Sequence, residues 1–343
     1  MSEIVVNSLY RTWGAVDAVK NVSFTVPEKS FTVLLGPSGC GKSTLLRMIC
    51  GLEQISSGTV HIGGRDVTQV QASDRGVSMV FQSYALFPHL SVKENIQFGL
   101  KVRRVPIKER EERVKHAADV VGLTDLLDRK PANLSGGQRQ RVALARSIVS
   151  EQSVCLMDEP LSNLDAKLRA EMRDQIRSLQ QRLGLTVVYV THDQVEAMSM
   201  ADQIVLLKLG EVIQISPPIQ LYNRPNNVFA AQFVGVPPMN ILEIDKIEDT
   251  KLPDSIHSVV EAKPETGSIG IRPEHIQFSE DGLPVDVIAV DYFGGETVIR
   301  ARHAKNELFV RSAGQPEIQL GEKLNVSWNP EETHLFDHQS QRI

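Results

Sequence analysis

The chain has 343 residues, of which 41% are hydrophobic, enough for one large domain and a smaller one. Its formal net charge is −5 and basic residues do not form a long block, which argues against an extended surface for duplex nucleic acid. The sequence contains no run of about 18 apolar residues, so it predicts no membrane-spanning helix.

The cysteines and the first residues indicate a reducing, cytosolic location. Cys40, Cys50 and Cys155 do not have the spacing of metal ligands, and we expect them to be reduced thiols. The first residues do not combine a basic stretch with an apolar core, so we expect no secretory signal.

The first two thirds of the chain alternates short apolar runs with amphipathic stretches, the pattern of an α/β fold. Residues 31–35 predict a buried parallel strand, and residues 42–50 predict a helix with Gly51 as its C-cap. Three more core strands are predicted, at residues 77–81, 154–157 and 186–190. Residues 107–121 predict an exposed helix that packs through one stripe of side chains, Val114, Ala117, Ala118 and Val121.

The composition of the chain changes past residue 216, where prolines become frequent. Clusters of proline are common in linkers between domains. Short alternating runs then follow at residues 285–290, 297–301 and 307–311, separated by glycine-containing turns. This rhythm predicts a small all-β domain, a sandwich or a barrel.

A phosphate loop is predicted at residues 36–44, whose sequence GPSGCGKST follows a predicted strand and opens a predicted helix. Glycines let successive backbone N–H groups point at phosphates, and the helix N-terminus adds partial positive charge. Lys42 would neutralise the β- and γ-phosphate oxygens, and the Ser43 hydroxyl would bind magnesium. The predicted nucleotide-binding residues of the loop are Gly36, Ser38, Gly39, Cys40, Gly41, Lys42, Ser43 and Thr44.

Two carboxylates follow the apolar run at residues 154–157. Asp158 and Glu159 end this predicted strand, which directs them to the phosphate end of a parallel sheet. There Asp158 would hold magnesium through its water shell, and Glu159 would orient or deprotonate the attacking water. Two acidic residues at a strand end are often only a solvated turn, but the phosphate loop favours the catalytic interpretation.

Residues 134–138 have the sequence LSGGQ. Together with the phosphate loop and the acidic strand end, this pentapeptide resembles that of one superfamily, the ATP-binding cassette (ABC) ATPases. In that family the pentapeptide closes on ATP held by a second copy of the protein. The resemblance implies that Ser135, Gly136, Gly137 and Gln138 act on a partner's ATP, so that the nucleotide site is divided between two chains.

The same resemblance assigns roles that the residues alone leave open. In this family a histidine at the position of His192 contacts the γ-phosphate and the water, and is taken as catalytic. A glutamine at the position of Gln82 touches magnesium and senses the membrane partner, and Gln82 is taken both as a metal ligand and as catalytic. Asp165 matches the loop that meets its counterpart across the dimer. Trp13 falls where the family's adenine-stacking aromatic falls, with Tyr10 as a rival.

Longer segments narrow the resemblance to the ATPase subunits of bacterial carbohydrate importers, the relatives of the maltose and glycerol-3-phosphate systems. These segments are residues 82–90, 134–141, 189–197 and 270–275. The implied fold class is α/β: an ABC-type P-loop NTPase domain with a helical subdomain, residues 1–235, followed by a small all-β, oligonucleotide-binding-like barrel that is sometimes regulatory, residues 236–343.

The implied function is that of the ATP-hydrolysing, energy-coupling subunit of an importer, with ATP and Mg²⁺ as cofactors. The implied partners are a second copy of the chain, two transmembrane permease subunits and, indirectly, an extracytoplasmic solute-binding protein, without nucleic acid. The implied location is peripheral, on the cytoplasmic face of the inner membrane. The sequence of this subunit does not specify the imported solute. We expect a carbohydrate, and the alternative is a polyamine or glycerol-3-phosphate.

Other classes of protein fit less well. An ABC protein of DNA repair would need a long coiled-coil insertion before the pentapeptide, and the sequence has no sustained heptads. A translation factor of this superfamily would carry two cassettes, whereas this sequence has one phosphate loop. A small-molecule P-loop kinase would lack LSGGQ. A nucleic-acid-binding function would rest only on the oligonucleotide-binding-like fold of the C-terminal domain. Because a fold does not imply a function, we do not expect nucleic-acid binding.

The predicted loop after Gln82 is unusually apolar. Two interpretations stay open: it is buried against its own helical subdomain, or it forms a groove that receives a short helix of the membrane subunit. The apolar side chains concerned are Tyr84, Ala85, Leu86, Phe87, Pro88 and Leu90.

Overall fold

A computed structural model of the chain describes residues 2–14, 16–246, 252 and 254–343. The chain divides into two compact units, Met1–Pro218 and Ile219–Ile343. The domain boundary predicted from the sequence, between residues 235 and 236, falls within the second unit and stays a prediction. Among the described residues, no helix is both long and apolar enough to cross a membrane.

The first unit combines two sheets with a layer of helices. Its helices are α1 (Lys42–Cys50), α2 (Val92–Val102), α3 (Ile107–Val120), α4 (Gly136–Ile148), α5 (Ala166–Leu183) and α6 (Gln194–Met200). Its strands are β1 (Ile4–Trp13), β2 (Val16–Val26), β3 (Phe31–Leu35), β4 (Ser57–Ile62), β5 (Arg65–Asp66), β6 (Val77–Val80), β7 (Val154–Asp158), β8 (Thr186–Thr191), β9 (Gln203–Lys208) and β10 (Glu211–Ser216).

The larger sheet carries the strands predicted from the apolar runs. In the described residues its order is β10-β9-β3-β8-β7-β6, with antiparallel pairing only between β9 and β10. Every residue of β3, β7 and β8 is buried, which explains their continuous apolar sequences. Leu35 pairs with Thr191, and Asp158 pairs with Val190, so these three strands end at the same edge of the sheet.

The predicted helix after the phosphate loop and its cap are confirmed. Gly51 lies in the left-handed region, with φ of 83°, and its N–H caps the carbonyls of Arg47 and Met48. The apolar face of α1 is buried in a core shared with both sheets. The smaller, antiparallel sheet has the order β2-β1-β4-β5.

A separate core joins α2, α3 and α4 into a helical layer. The predicted stripe of α3 is confirmed: Val114, Ala117 and Ala118 are buried there, and Val121 packs against them just past the helix end. Ser91 begins α2 with a reciprocal capping box, in which its hydroxyl accepts from the N–H of Glu94.

The second unit is built on two antiparallel sheets, with the orders β11-β12-β18 and β13-β17-β14-β15-β16 among the described residues. The strands are β11 (Asn240–Glu243), β12 (Thr266–Ile271), β13 (Gln277–Ser279), β14 (Leu283–Tyr292), β15 (Glu296–His303), β16 (Asn306–Ala313), β17 (Lys323–Ser327) and β18 (His334–Asp337). The three alternating runs lie in β14, β15 and β16, which confirms the predicted all-β class. The short helices α7 (Pro218–Asn223), α8 (Val228–Phe233) and α9 (Asp254–Glu261) were not predicted.

Candidate nucleotide-binding and catalytic site

The phosphate loop connects β3 to α1 at the shared edge of the larger sheet. Gly41 immediately precedes α1 and has a left-handed φ of 98°. A Cβ atom there would lie 2.3 Å from the carbonyl oxygen of Ala18, so only glycine fits without moving the backbone. The first N–H groups of α1 have no acceptor within the helix, which makes this helix start suited to binding an anion.

Lys42 folds back over the loop that precedes it. Its ammonium donates to the carbonyl oxygens of Gly36, at 2.7 Å, and Pro37, at 2.8 Å, and the residue is buried. Burial raises the pKa of the neighbouring Cys40 thiol, although the Lys42 ammonium opposes this rise. Cys40 is therefore a neutral packing group at physiological pH, and the positive charge of the loop belongs to Lys42.

A cavity of about 550 Å³ adjoins this loop, a size in the usual range for small-molecule sites. Of the residues predicted to bind nucleotide, Trp13, Ser38, Gly39, Gly41, Lys42, Ser43 and Thr44 line it, as does Glu159. The Trp13 side chain is 47% exposed, so its ring is accessible to a ligand. Tyr10, the rival aromatic, is not among the described residues that line the cavity.

Sequence reasoning missed part of this lining. Val16, Asp17, Ala18 and Lys20, from β2, and Leu209 and Gly210, from the β9–β10 turn, also line the cavity. The N–H of Lys20 donates to the carbonyl of Gly210 at 2.8 Å, and the N–H of Gly210 donates to that of Cys40 at 3.1 Å. These residues belong to no local motif, so only the fold could reveal them.

Asp158 and Ser43 form an oxygen pair suited to a small divalent cation. The Ser43 hydroxyl donates to Asp158 Oδ1 at 2.6 Å, and the carboxylate is almost completely buried. Arg47 Nη2 lies 3.5 Å from the other carboxylate oxygen. The described residues contain no cluster of three or more His, Cys, Asp or Glu side chains that could hold a metal. The two oxygens of the Ser43–Asp158 pair fit Mg²⁺, which is usually held by one or two protein oxygens together with waters and substrate phosphates.

Glu159 is the centre of a second cluster at the same edge. Its Oε2 lies 3.3 Å from Gln82 Nε2 and 3.3 Å from His192 Nδ1. Its backbone has a left-handed φ of 45°, and its N–H donates to the carbonyl of Val190 at 3.1 Å. Such a conformation is unfavourable for a non-glycine residue by about 1–2 kcal/mol. The structure thus brings together the three side chains predicted to be catalytic, from the ends of three neighbouring strands.

The loop between β7 and α5 holds Gln82 in place. The side-chain amide of Asn163 donates to the Gln82 carbonyl at 3.0 Å, and Gln82 Nε2 lies 3.4 Å from the Ser162 hydroxyl. Asp165 caps α5 by accepting from the N–H of Leu168 at 2.9 Å. Within one chain, the Asp165 carboxylate therefore serves as a helix cap.

The LSGGQ segment forms the start of α4. Ser135 accepts from the N–H of Gln138 at 3.3 Å, and Gln138 Oε1 accepts from the N–H of Ser135 at 2.9 Å. A Cβ at Gly137 would lie 2.9 Å from Leu168 Cδ1, and one at Gly136 would lie 3.2 Å from Leu164 Cδ2. The glycines thus allow α4 to approach the 161–165 loop and α5. Among the described residues lining the phosphate-loop cavity, none belongs to the LSGGQ segment.

The apolar loop after Gln82 is buried only in part. Tyr84 is buried and Leu86 packs on the core of the helical layer, whereas Ala85 is exposed. The Phe87 ring lies 4.4 Å from that of Phe98, which is 37% exposed. The buried interpretation therefore holds for Tyr84 and Leu86, and the groove for a membrane-subunit helix stays a prediction for the exposed side chains.

Two side chains of the helical layer shape the loop. Arg146 donates to the Ala85 carbonyl at 2.5 Å, and its guanidinium lies over the Phe87 ring. The fully buried Asn95 side chain accepts from the Phe87 N–H at 2.8 Å and donates to the Phe87 carbonyl at 3.1 Å. The exposed edge of the loop is consequently held in one conformation by the helices beneath it.

Residues 19–162 match the family model described as ABC transporter, and residues 269–336 match the TOBE domain. The sn-glycerol-3-phosphate import ATP-binding protein UgpC of Rhodopseudomonas palustris is 43% identical over 100% of this chain and 99% of that protein. The protein of the same name from Brucella abortus is 44% identical, again over 100% of this chain and 99% of its own length. An uncharacterized ABC transporter ATP-binding protein, y4oS of Sinorhizobium fredii, is 44% identical over 98% of this chain and 93% of that protein.

The fold is also similar to a solved structure. The cbiO1 protein of Clostridium perfringens, described as part of the ABC transporter complex cbiONQ, matches with a TM-score of 0.60 and 28% identity. The match covers 64% of this chain and 89% of that structure.

Proposed function

This chain belongs to the ABC transporter ATP-binding proteins, and we propose that it is the subunit that hydrolyses ATP to drive a bacterial importer. The observation that carries this proposal is the meeting of Gln82, Glu159 and His192 beside the phosphate-loop cavity. A nucleotide-binding module without hydrolysis would have no need of this cluster.

The residues of the site divide the work of hydrolysis. Lys42 and the N–H groups at the start of α1 bind the phosphates, and the Trp13 ring stacks on adenine. Ser43 and Asp158 would hold Mg²⁺, and the charge supplied by the bound ion would offset that of the phosphates. Glu159 accepts the proton of the attacking water as that water's oxygen bonds to the γ-phosphorus and the bond to ADP breaks. His192 and Gln82 orient Glu159 and the water.

We propose further that the working form is a homodimer in which the LSGGQ segment of each copy closes on the other copy's ATP. Two facts support it: every ATP-site motif is intact in this one chain, and the LSGGQ residues lie outside the described lining of their own chain's cavity. ATP and dimer closure are then linked, and each favours the other by the same free energy.

Replacing Gln138 by glutamate is expected to prevent ATP-driven dimerisation without weakening ATP binding to the single chain. Glutamate preserves the capping box with Ser135, so α4 still begins correctly. It also puts a carboxylate opposite the partner's γ-phosphate, and such a like-charge contact costs several kcal/mol, or roughly 100-fold in dimer affinity. Sedimentation with ATP in a hydrolysis-deficient Glu159→Gln background measures this, with Glu159→Gln alone as the control. A Gln138→Glu variant that dimerises like its control would contradict the divided site.

We propose two transmembrane permease subunits as partners at the cytoplasmic face of the inner membrane, with the exposed edge of the 84–90 loop as their contact surface. The support is the apolar exposure at Ala85 and Phe98, above side chains that anchor the loop. Gln82, at the base of this loop, touches Glu159, which provides a physical route from the permease to the catalytic cluster.

Replacing Ala85 by glutamate is expected to lower co-purification with the permease subunits and to lower transport, each by roughly tenfold or more, because a desolvated unpaired charge at an interface is costly. ATP affinity of the isolated chain should stay unchanged. The matched control is Ala304→Glu, the same change at an exposed alanine of the second unit that shares the left-handed backbone of Ala85, with φ of 50° against 46°. If Ala85→Glu co-purifies and transports like the control, the permease binds elsewhere.

The solute is proposed to be a carbohydrate or sn-glycerol 3-phosphate, and the names of two full-length relatives support the second of these. The direct test is ATP-dependent uptake into vesicles that contain this chain, the permease subunits encoded beside it and their solute-binding protein. Labelled sugars, sn-glycerol 3-phosphate and a polyamine are compared. Uptake of the polyamine alone would refute the proposed solute class, and absence of ATP-dependent uptake of any solute, together with absence of ATPase activity, would refute the importer function.

A further inference from the structure

We propose that Arg169 is a positioning residue for ATP hydrolysis, because it joins the 161–165 loop to the turn that carries His192. This inference rests on the proposed hydrolytic function, and it adds a residue outside the recognised motifs. Arg169 lies in the first turn of α5, and its guanidinium bonds to Leu164 and Asp193, outside the phosphate loop and the LSGGQ segment.

The Arg169 guanidinium bridges two segments that come from different strand ends. Nη2 donates to the carbonyl of Leu164 at 3.0 Å, and Nη1 donates to Asp193 Oδ2 at 3.3 Å. Both side chains of the ion pair are partly buried, with 32% exposure for Arg169 and 25% for Asp193. A guanidinium can serve both acceptors at once because its donors form a rigid planar fork.

Asp193 also forms hydrogen bonds with residues on both sides of His192. Its Oδ1 accepts from the N–H groups of Val195, at 2.7 Å, and Glu196, at 3.2 Å, and so caps α6. Its own N–H donates to the Thr191 hydroxyl at 3.0 Å. The residues before and after His192 are therefore held, while the His192 side chain extends to Glu159, with Nδ1 3.3 Å from Oε2.

A buried carboxylate holds the other side of this turn. Glu196 Oε2 accepts from the hydroxyls of Thr191, at 2.7 Å, and Tyr189, at 2.9 Å. All three residues are buried. In the contacts of the described residues, this network ties the turn to β8 and α6, and the Arg169 bridge ties it to the 161–165 loop.

The Leu164 end of the bridge leads toward the LSGGQ segment. The Leu164 side chain packs under Gly136, at the start of α4, where a Cβ atom would be 3.2 Å away. A shift of α4 during dimer closure would therefore press on Leu164, whose carbonyl holds Arg169. Arg169, Glu159 and His192 also line one small cavity of about 30 Å³, so the bridge adjoins the catalytic cluster.

The test compares Arg169→Met, Asp193→Asn and the double variant in the full-length chain. Methionine keeps the apolar stem without the charge. Asparagine keeps the cap acceptor for α6 and turns its NH₂ toward Arg169, which breaks the bridge while preserving the helix start. Each single variant is expected to lower kcat about 10–100-fold with KM for ATP within roughly twofold, since small misplacements of catalytic groups have this cost. The double variant should be no slower than the slower single variant.

Arg177→Met is the matched control on the same helix. Arg177 forms an equally well-defined ion pair, with Nη2 2.5 Å and Nη1 3.0 Å from the carboxylate oxygens of Asp202. Asp202 accepts from the N–H of Phe31 and not from the His192 turn. This control is expected to lower the thermal midpoint and leave kcat unchanged. Arg169→Lys, which keeps the charge but cannot serve both acceptors equally well, should recover part of the lost rate.

A measurement independent of turnover separates this inference from the proposed function. With ¹³C-labelled histidine, the His192 imidazole signal, assigned by its loss in His192→Gln, should move in Arg169→Met and Asp193→Asn but stay in place in Arg177→Met. An unmoved signal, or additive losses in the double variant, overturns the positioning role and leaves the importer function standing. A parent chain without ATPase activity counts against the proposed function, while the imidazole signal still decides the role of Arg169.

Discussion

The change Glu159→Gln is expected to lower ATP turnover by about 10²–10⁴-fold, the usual cost of losing a well-placed base. Glutamine has the same size, and its amide oxygen can still accept from Gln82, so the cluster keeps its shape. The phosphate-binding groups are untouched, so ATP should bind with parental affinity. Turnover in the assembled transporter and equilibrium ATP binding to the isolated chain are the two measurements.

The control for this variant is Glu151→Gln. Glu151 is exposed and also has a left-handed backbone, with φ of 54°, so the substitution repeats both the chemistry and the conformation outside the site. Its partner, Arg113, forms a surface ion pair that contributes little to stability. Near-parental turnover in Glu159→Gln would remove Glu159 as the base, and a comparable loss in Glu151→Gln would point to a general effect on folding.

The change Lys42→Met is expected to weaken ATP binding by roughly 10–100-fold, because a hydrogen bond to a charged group contributes about 1.5–3 kcal/mol. Hydrolysis should fall at least as far, since the same ammonium offsets charge on the β- and γ-phosphates. Titration calorimetry with ATP and the full-length chain provides the affinity.

Two controls separate charge from loop structure in the Lys42 variant. Lys108→Met removes an exposed lysine of α3 and should leave ATP affinity unchanged. The thermal midpoint of Lys42→Met without nucleotide reports the loss of the bonds to Gly36 and Pro37. Parental ATP affinity in Lys42→Met would contradict the role assigned to the loop.

Local chemistry was sufficient to predict much of this fold. The apolar runs that became β3, β7 and β8 are continuous because those strands are buried on both faces, and burial of this kind is visible in composition alone. The phosphate loop and Gly51 were predictable because tight turns and helix ends need particular residues at particular positions. The short helix α8 was missed, although Asn227, which caps it, was a local signal.

The sequence by itself therefore determined the family, the position of the phosphate loop and the main strands, because each depends on neighbouring residues. Only the tertiary structure decided which distant residues meet. Gln82, Glu159 and His192 converge because β6, β7 and β8 are adjacent in the sheet, although α2, α3 and α4 lie between β6 and β7 along the chain. Lys20 in the cavity lining and the Arg169 bridge have no local signal, since long-range approach is set by strand order and packing, which periodicity does not encode.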